Sequence, residues 1–237
     1  MEIQTIKTVP IIKPQSLETY VKQFLPKLEE NTIIAITSKV VSICEGRCIS
    51  KEAIDRETLV KREADFLIPN PQSNNQRIIL TYKNHILIPS AGIDESNGNG
   101  CYILYPKDPF ASVKKLWNFL RQEYQIKNLG IIMTDSHTTP LRKGVTGIAL
   151  AWWGFCPVKS CVGELDLFGH PLQVTYINVA DALAISAVLN MGESNECTPL
   201  AILTHAPHVQ FDAIDHSVEE ICIDPKEDLY HCAFPCT

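Results

Sequence analysis

The sequence has no apolar run approaching the roughly 18 residues that cross a bilayer, so its 237 residues hold no expected membrane-spanning helix. It also lacks an excess of positive charge. Its 21 Lys and Arg stand against 27 Asp and Glu, a formal charge of −6, which gives no electrostatic support for a sequence-independent grip on nucleic acid or anionic lipid. Nucleic acid and membrane are therefore set aside as partners. The opening MEIQTIKTVPIIKP does not follow the basic-then-apolar order of a secretory signal, and a cytoplasmic location is the expectation. Internal repeats and low-complexity tracts are missing. No Gly-x-Ser-x-Gly elbow or cysteine-protease signature occurs, which argues against a hydrolase triad. Neither a Walker A sequence nor a Gly-x-Gly-x-x-Gly after a strand is found, so any nucleotide must be held another way.

What is present suits a folded soluble chain. Hydrophobic residues make up 45% and charged residues 20%, far from the composition of disordered chains. The length allows one large domain or two small interlocked ones. The nine cysteines are odd in number and scattered; they read as reduced thiols and core filler rather than a disulfide frame. His231, Cys232 and Cys236 come nearest to a metal cluster, but they miss the paired short-gap zinc spacing and supply only three ligands.

Apolar spacing predicts a helix over residues 16–28 with Ser16 as its cap. Thr32 to Thr37 is a short β-branched run that reads as a buried strand with Ser38-Lys39 at its tip. Residues 51–65 are charged and helix-compatible. Pro69, Pro71 and residues 72–76 read as loop, and residues 77–82 and 85–88 as a hairpin turning at Lys83-Asn84. Pro109 opens the clearest helix, with Val113, Leu116, Trp117, Leu120 and Tyr124 on one face. Strands are expected over 129–134, 171–177 and 199–203, and residues 145–155 read as buried packing. A helix capped by Asn178 is expected over 178–190. The acidic last thirty residues match no element.

Three carboxylates fall where backbone is rigid on one side: Asp94 after the hairpin, Asp135 at a strand tip, and Glu193 past a helix end. Hard cations such as Mg²⁺ and Mn²⁺ take oxygen ligands, typically one or two carboxylates together with substrate phosphates. Asp94, Asp135, the Ser136 hydroxyl and Glu193 suit that chemistry. On composition alone, turn or cap roles are the commoner reading of Asp94 and Asp135, because loop aspartates so often serve local hydrogen bonds.

Five passages in order carry a resemblance. They are Ser38-Lys39-Val40-Val41-Ser42 with Glu45-Gly46-Arg47; Ala91-Gly92-Ile93-Asp94 with Ser96-Asn97; Tyr105-Pro106-Lys107-Asp108-Pro109 with Ala111-Ser112; Thr134-Asp135-Ser136 through Pro140-Leu141-Arg142-Lys143-Gly144; and residues 163–166 with Phe168-Gly169, followed by Val179-Ala180-Asp181 to Met191-Gly192-Glu193. Over about residues 8–204 the chain resembles the coenzyme F420-0:gamma-glutamyl ligase family. The resemblance implies an α+β fold of mixed sheets with packed helices and two interlocked subdomains. Residues 1–237 would form one ligase-like domain with an inserted subdomain over about 86–160. It further implies a homodimeric ligase that joins the amino group of L-glutamate to an acceptor carboxylate through an acyl phosphate. GTP or ATP would serve as co-substrate, with Mg²⁺ or Mn²⁺ as cofactor. Asp94, Asp135, Ser136 and Glu193 match the family's metal-binding places, and Pro10, Ser38, Lys39 and Asn97 its nucleotide-contacting ones. Arg142 lies in its Arg-containing motif, where it would meet a phosphate or a glutamate carboxylate, a structural ion pair being the alternative role for one Arg. Departures stand at Ile43, where the family usually carries lysine, at Thr8-Val9 before Pro10, at Thr138-Thr139 before Pro140, and at Val162 before Gly163. They fit a divergent branch, for which glutamate addition to dihydropteroate or folate is the alternative. A non-catalytic protein that retains fold and metal site is a further one.

Overall fold

A computed structural model describes residues 1–68, 78–224 and 226–230. The loop at 69–76, the start of the hairpin at Arg77 and the His231, Cys232 and Cys236 tail lie outside the described residues. The elements run β1 (Glu2–Ile6), α1 (Leu17–Phe24), β2 (Thr32–Thr37), α2 (Ser38–Cys44), β3 (Cys48–Ser50), α3 (Arg56–Glu63), β4 (Phe66–Leu67), β5 (Leu80–Lys83), β6 (Ile86–Pro89) and β7 (Cys101–Ile103). They continue with α4 (Pro109–Tyr124), β8 (Leu129–Thr138), β9 (Val145–Trp153), β10 (Val158–Ser160), β11 (Tyr176–Asn178), α5 (Val179–Met191) and β12 (Leu200–Thr204). The fold is α+β, as expected.

The five-stranded central sheet has the order β1-β12-β2-β8-β9. Only β2 and β8 pair in parallel within it. The unbroken apolar run of β2 follows from cover on both faces. Ile34 and Ile36 point into a core shared with α1, α2 and α4, including Val21, Val41, Leu116 and Leu120. Ile33 and Ala35 point into the opposite core, built with Leu183, Ala184 and Ala187 of α5. A third, smaller core gathers Leu59, Val60, Ile93, Tyr102 and Leu104 beside the strands β3 to β7. The second lobe is thus built from residues between Cys48 and Leu104, while β8 and β9, inside the 86–160 range assigned to an insert, belong to the central sheet.

Local chemistry sets the helix ends. Ser16, Asp55, Asp108 and Asn178 each accept a backbone N–H three residues on. The helix expected to reach residue 28 stops at Phe24. Leu25 is extended with ψ 134°, as a residue preceding proline must be. The hairpin turns one residue later than expected, with Asn84 and His85 both left-handed at φ 50° and 61°, the geometry of a type I′ turn. The strand expected over 171–177 shrinks to Tyr176–Asn178, paired only with β10.

The acidic C-terminal stretch, which suggested no element, docks just beyond β9 through backbone bonds from Cys156 N–H to the Gln210 carbonyl at 2.9 Å and from Asp212 N–H to the Gly154 carbonyl at 3.1 Å, and one histidine ties it together. The buried His216 ring sets Nε2 at 2.8 Å from Asp212 and Nδ1 at 3.0 Å from both oxygens of Glu220, edge-on to Trp153. No helix among the described residues is long and apolar enough to cross a membrane.

Helix α5 approaches the sheet closely only because Gly147 of β9 has no side chain. A Cβ there would lie 2.4 Å from the Ala184 carbonyl oxygen, and backbone cannot rotate aside. Gly147→Ala is expected to cost about 1–3 kcal/mol, a fall in melting temperature of roughly 2–12 °C for a chain of this size, measurable by scanning calorimetry.

Candidate functional site

The C-terminal ends of the parallel pair β2 and β8 open into a cleft of about 730 Å³. Its walls come from four separated parts of the chain: residues 8–11 after β1, Lys39, Val40 and Ile43 of α2, the second-lobe turn bearing Asp94 and Asn97, and residues 192–199 after α5. Asp135, Ser136 and Thr138 of β8 complete it. The strand expected to end at Thr134 continues through these residues because β9 pairs with them. The register shifts just before them: Met133 faces Ala151 and Thr134 faces Ala149, so Leu150 of β9 is the extra residue of a bulge on the partner strand.

Asp135 is held by neutral donors. The Ser38 hydroxyl donates to Oδ1 at 3.1 Å and the Tyr105 hydroxyl to Oδ2 at 2.5 Å. Burial is the largest influence on its carboxyl and the nearby Asp94 charge adds to it; together they outweigh the hydrogen bonds and push the pKa up to about 6. Burial, reinforced by the Asp135 charge, pushes the Tyr105 phenol well above its ordinary value, so it remains a donor. The ring reaches Asp135 over Gly92, where a Cβ would stand 2.2 Å from its Cζ. Neither Tyr105 nor Gly92 carried a role in the sequence reading. The signal was in the quoted motifs, but only the fold shows that they meet.

Asp94 is treated differently. Its Oδ1 accepts from the Ser96 backbone N–H at 2.7 Å and hydroxyl at 2.8 Å. The Lys39 ammonium lies 2.7 Å from Oδ2 and 3.0 Å from Ser96 Oγ. Burial alone would raise the Asp94 carboxyl, but Lys39 and Ser96 prevail and hold it below its ordinary value.

Across the cleft the Ser136 hydroxyl meets both oxygens of Glu193, at 2.9 and 2.7 Å. Asn97 Nδ2 donates to the Ser194 carbonyl at 3.0 Å, tying the second lobe to the segment after α5. Lys39, Asp94, Asn97, Asp135, Ser136 and Glu193 therefore line one space, with Pro10 exposed in its wall and Ser38 buried behind Asp135. Arg142 stands apart. It is exposed on the β8–β9 hairpin, outside the cleft lining, and pairs with no carboxylate among the described residues. The residues 163–169 form the exposed arm between β10 and β11, where Asp166 closes its own turn on the Phe168 and His170 amides.

The acids fit a hard divalent cation in donor type. Among the described residues, no three His, Cys, Asp or Glu side chains form a ready-made cage. All the candidates are oxygen donors from opposite walls, as suits an ion that completes its shell with phosphate and water.

The family model described as F420-0:Gamma-glutamyl ligase matches residues 5–205. A Coenzyme F420:L-glutamate ligase of Methanococcus maripaludis (strain C7) is 33% identical over 217 residues, covering 86% of this chain and 86% of the relative. The protein of that name from Methanopyrus kandleri is 32% identical over 223 residues, covering 86% and 87%. The one from Haloarcula marismortui is 28% identical over 252 residues, covering 97% and 95%.

Because the folded Asp135 carboxyl titrates at about 6 against an ordinary 3.8, the folded chain retains a proton there that the unfolded chain gives up. Stability from the protonated form is complete below about pH 4 and is lost as pH rises through 6. In chelator, Asp135→Asn is expected to melt several degrees above the parent at pH 7.5, and the two curves should converge near pH 4. Differential scanning fluorimetry across pH checks this.

Proposed function

The chain belongs to the F420-0:gamma-glutamyl ligase family, and from that premise we propose that it joins the amino group of L-glutamate to a carboxylate of a small acceptor acid, using a nucleoside triphosphate. The observation that supports this reading is the convergence of Lys39, Asp94, Asn97, Asp135, Ser136 and Glu193 on one cleft from four distant parts of the chain. The acceptor we propose is of the F420-0 type, after the names of the relatives, and GTP is the proposed nucleotide.

At neutral pH a carboxylate is a poor electrophile and an ammonium a poor nucleophile, so the acid must be activated. An acceptor oxygen attacks the γ-phosphorus, the bond to the β-phosphate oxygen breaks, and nucleoside diphosphate leaves. The neutral glutamate amine then attacks the acyl carbon of the acyl phosphate, inorganic phosphate leaves, and the nitrogen gives up a proton. Asp94, Asp135, Ser136 and Glu193 are the residues that would hold Mg²⁺ or Mn²⁺, which when bound neutralises triphosphate charge as the γ-phosphoryl group moves. Ser38 fixes the Asp135 carboxylate, Lys39 supplies positive charge within the cleft, and Asn97 holds the segment after α5 against the second lobe. Pro10 forms part of the wall proposed to contact the nucleotide. Arg142, four residues beyond the cleft-lining Thr138, is assigned to a substrate carboxylate or phosphate, which a guanidinium grips bidentately.

The homodimer is assigned to the arm between β10 and β11. Leu167 is 99% exposed and Phe168 85% exposed, with Leu165, Val174 and Tyr176 also bare on the same arm. A second copy is the occupant that suits a family read as homodimeric, since soluble monomers rarely leave such apolar clusters uncovered. Phe168→Glu is expected to convert the dimer to monomer in size-exclusion chromatography with light scattering.

The reaction is tested by incubating the protein with GTP or ATP, Mg²⁺ or Mn²⁺, L-glutamate and either F420-0 or dihydropteroate, following phosphate release and product mass. Glutamylated F420-0 is the expected product; a glutamylated pteroate instead would reassign the acceptor. Asp94→Asn and Asp135→Asn should each lower the rate on the order of 100-fold, the scale of losing one electrostatic stabiliser. Nucleotide binding without turnover on any acceptor would overturn the reading in favour of a non-catalytic homologue.

A further inference from the structure

The carboxylate of Asp94 has one oxygen already committed. Oδ1 accepts two hydrogen bonds from Ser96, at 2.7 and 2.8 Å, which uses its lone pairs. The oxygen left for an external partner is Oδ2, and the Lys39 ammonium sits on it at 2.7 Å. The pair joins α2 of the main sheet layer to the turn of the second lobe, and both residues line the cleft. Any cation that approaches Asp94 from the cleft therefore meets a position already held by positive charge.

We propose that Lys39 is an exchangeable counter-ion: in the nucleotide-free protein it occupies the Asp94 oxygen that a divalent cation takes in the loaded one, and it transfers to the triphosphate when cation and nucleotide arrive together. The proposal rests on the reading of Asp94 as a cation ligand. Its physical basis is charge accounting. A divalent cation arriving alone would expel the ammonium from its carboxylate and leave it facing a doubly charged ion in a half-buried cleft, where charges interact more strongly than in water. A cation arriving with a triphosphate brings the anion that the displaced ammonium needs, and the flexible four-carbon stem of lysine lets it swing without backbone change. Cation and nucleotide affinities then rise together by the same factor. Lys39 would thus keep the acidic cleft from filling with metal before the nucleotide is present.

The test is binding of Mn²⁺ alone, by isothermal titration or by loss of the free-ion electron paramagnetic resonance signal. Lys39→Met should bind Mn²⁺ about tenfold more tightly than the parent, within the usual range of coupling between sites. Lys39→Arg, which keeps the charge, should behave as the parent, and a non-hydrolysable GTP analogue should tighten Mn²⁺ binding less in Lys39→Met than in the parent. Equal or weaker Mn²⁺ binding by Lys39→Met overturns the exchange and leaves the ligase reading standing. Absence of Mn²⁺ binding to the parent even with the analogue overturns both. Should Lys39→Met not fold, acetylation of Lys39 in the parent decides: saturating Mn²⁺ should make the amine more reactive, and unchanged reactivity overturns the proposal.

Discussion

Two carboxylates from different lobes cannot share a half-buried cleft without something to offset their mutual repulsion and lost hydration. Asp94 and Asp135 are close enough that the charge of the first raises the pKa of the second. The protein resolves the conflict unequally. Asp94 receives a full positive charge from Lys39 and two donors from Ser96, and stays ionised. Asp135 receives only neutral donors, the Ser38 and Tyr105 hydroxyls and the Ser136 backbone N–H, and is pushed up to about 6. Two acids of the same type in one cleft thus differ in how readily each gives up its proton, a separation that environment alone produces.

The unequal treatment depends on one turn. Ser90, Ala91 and Gly92 lie in succession in the left-handed region, at φ 56°, 54° and 69°, a run that non-glycine residues adopt only when surrounding structure imposes it. Two of the three, Ser90 and Ala91, are buried. The coil delivers Asp94 two residues later, and the missing side chain of Gly92 provides the space through which the Tyr105 ring passes to Asp135. The Tyr105 carbonyl accepts from Arg47, which is itself paired with Glu63 of α3. One small stretch of the second lobe therefore sets the position of its own acid and the hydrogen bonding of the acid on the central sheet.

Much of this was legible in the sequence wherever a residue's role is local. The caps Ser16 and Asn178 act within one turn of their own helices, and Pro109 opens α4. The run Thr32–Thr37 reads as a strand because both of its faces are covered. The acids Asp94, Asp135 and Glu193 could be singled out because each follows an element that constrains it. Features made by distant partners were not legible. The length of β8 depends on pairing with β9, which carries the strand past Thr134 to Thr138. Helix α2 begins directly after β2, where only a strand tip was read. The boundary of the second lobe depends on a core gathered between Ile49 and Leu104, with no sequence break to mark it. The clasp at His216 spaces its carboxylates four residues to either side, yet the segment is not an α-helix, so periodicity pointed nowhere.

The departures from the family motifs are spread: Thr8, Val9 and Ile43 stand in the cleft wall, Thr138 lies two residues beyond Ser136 on β8, and Val162 sits outside the cleft on the exposed arm. Ile43 stands in the lining where a cation was expected, and Val9, Ile11 and Val40 are also in the wall. Thr138 adds a hydroxyl from the end of β8, and Thr139 follows it on the exposed hairpin. Asp135 and Ser136, by contrast, lie in the part of β8 that pairs with Ile148 and Gly147 of β9, just past the end of its pairing with β2, and Glu193 stands two residues beyond the end of α5, a helix packed into the core. Ile43 brings no charge to the cleft, whereas Lys39 is an ammonium already inside it. Asp135 is thus tied at once to β9, to Ser38 and to Tyr105, whereas Val9 and Ile43 contribute only apolar side chains to the wall.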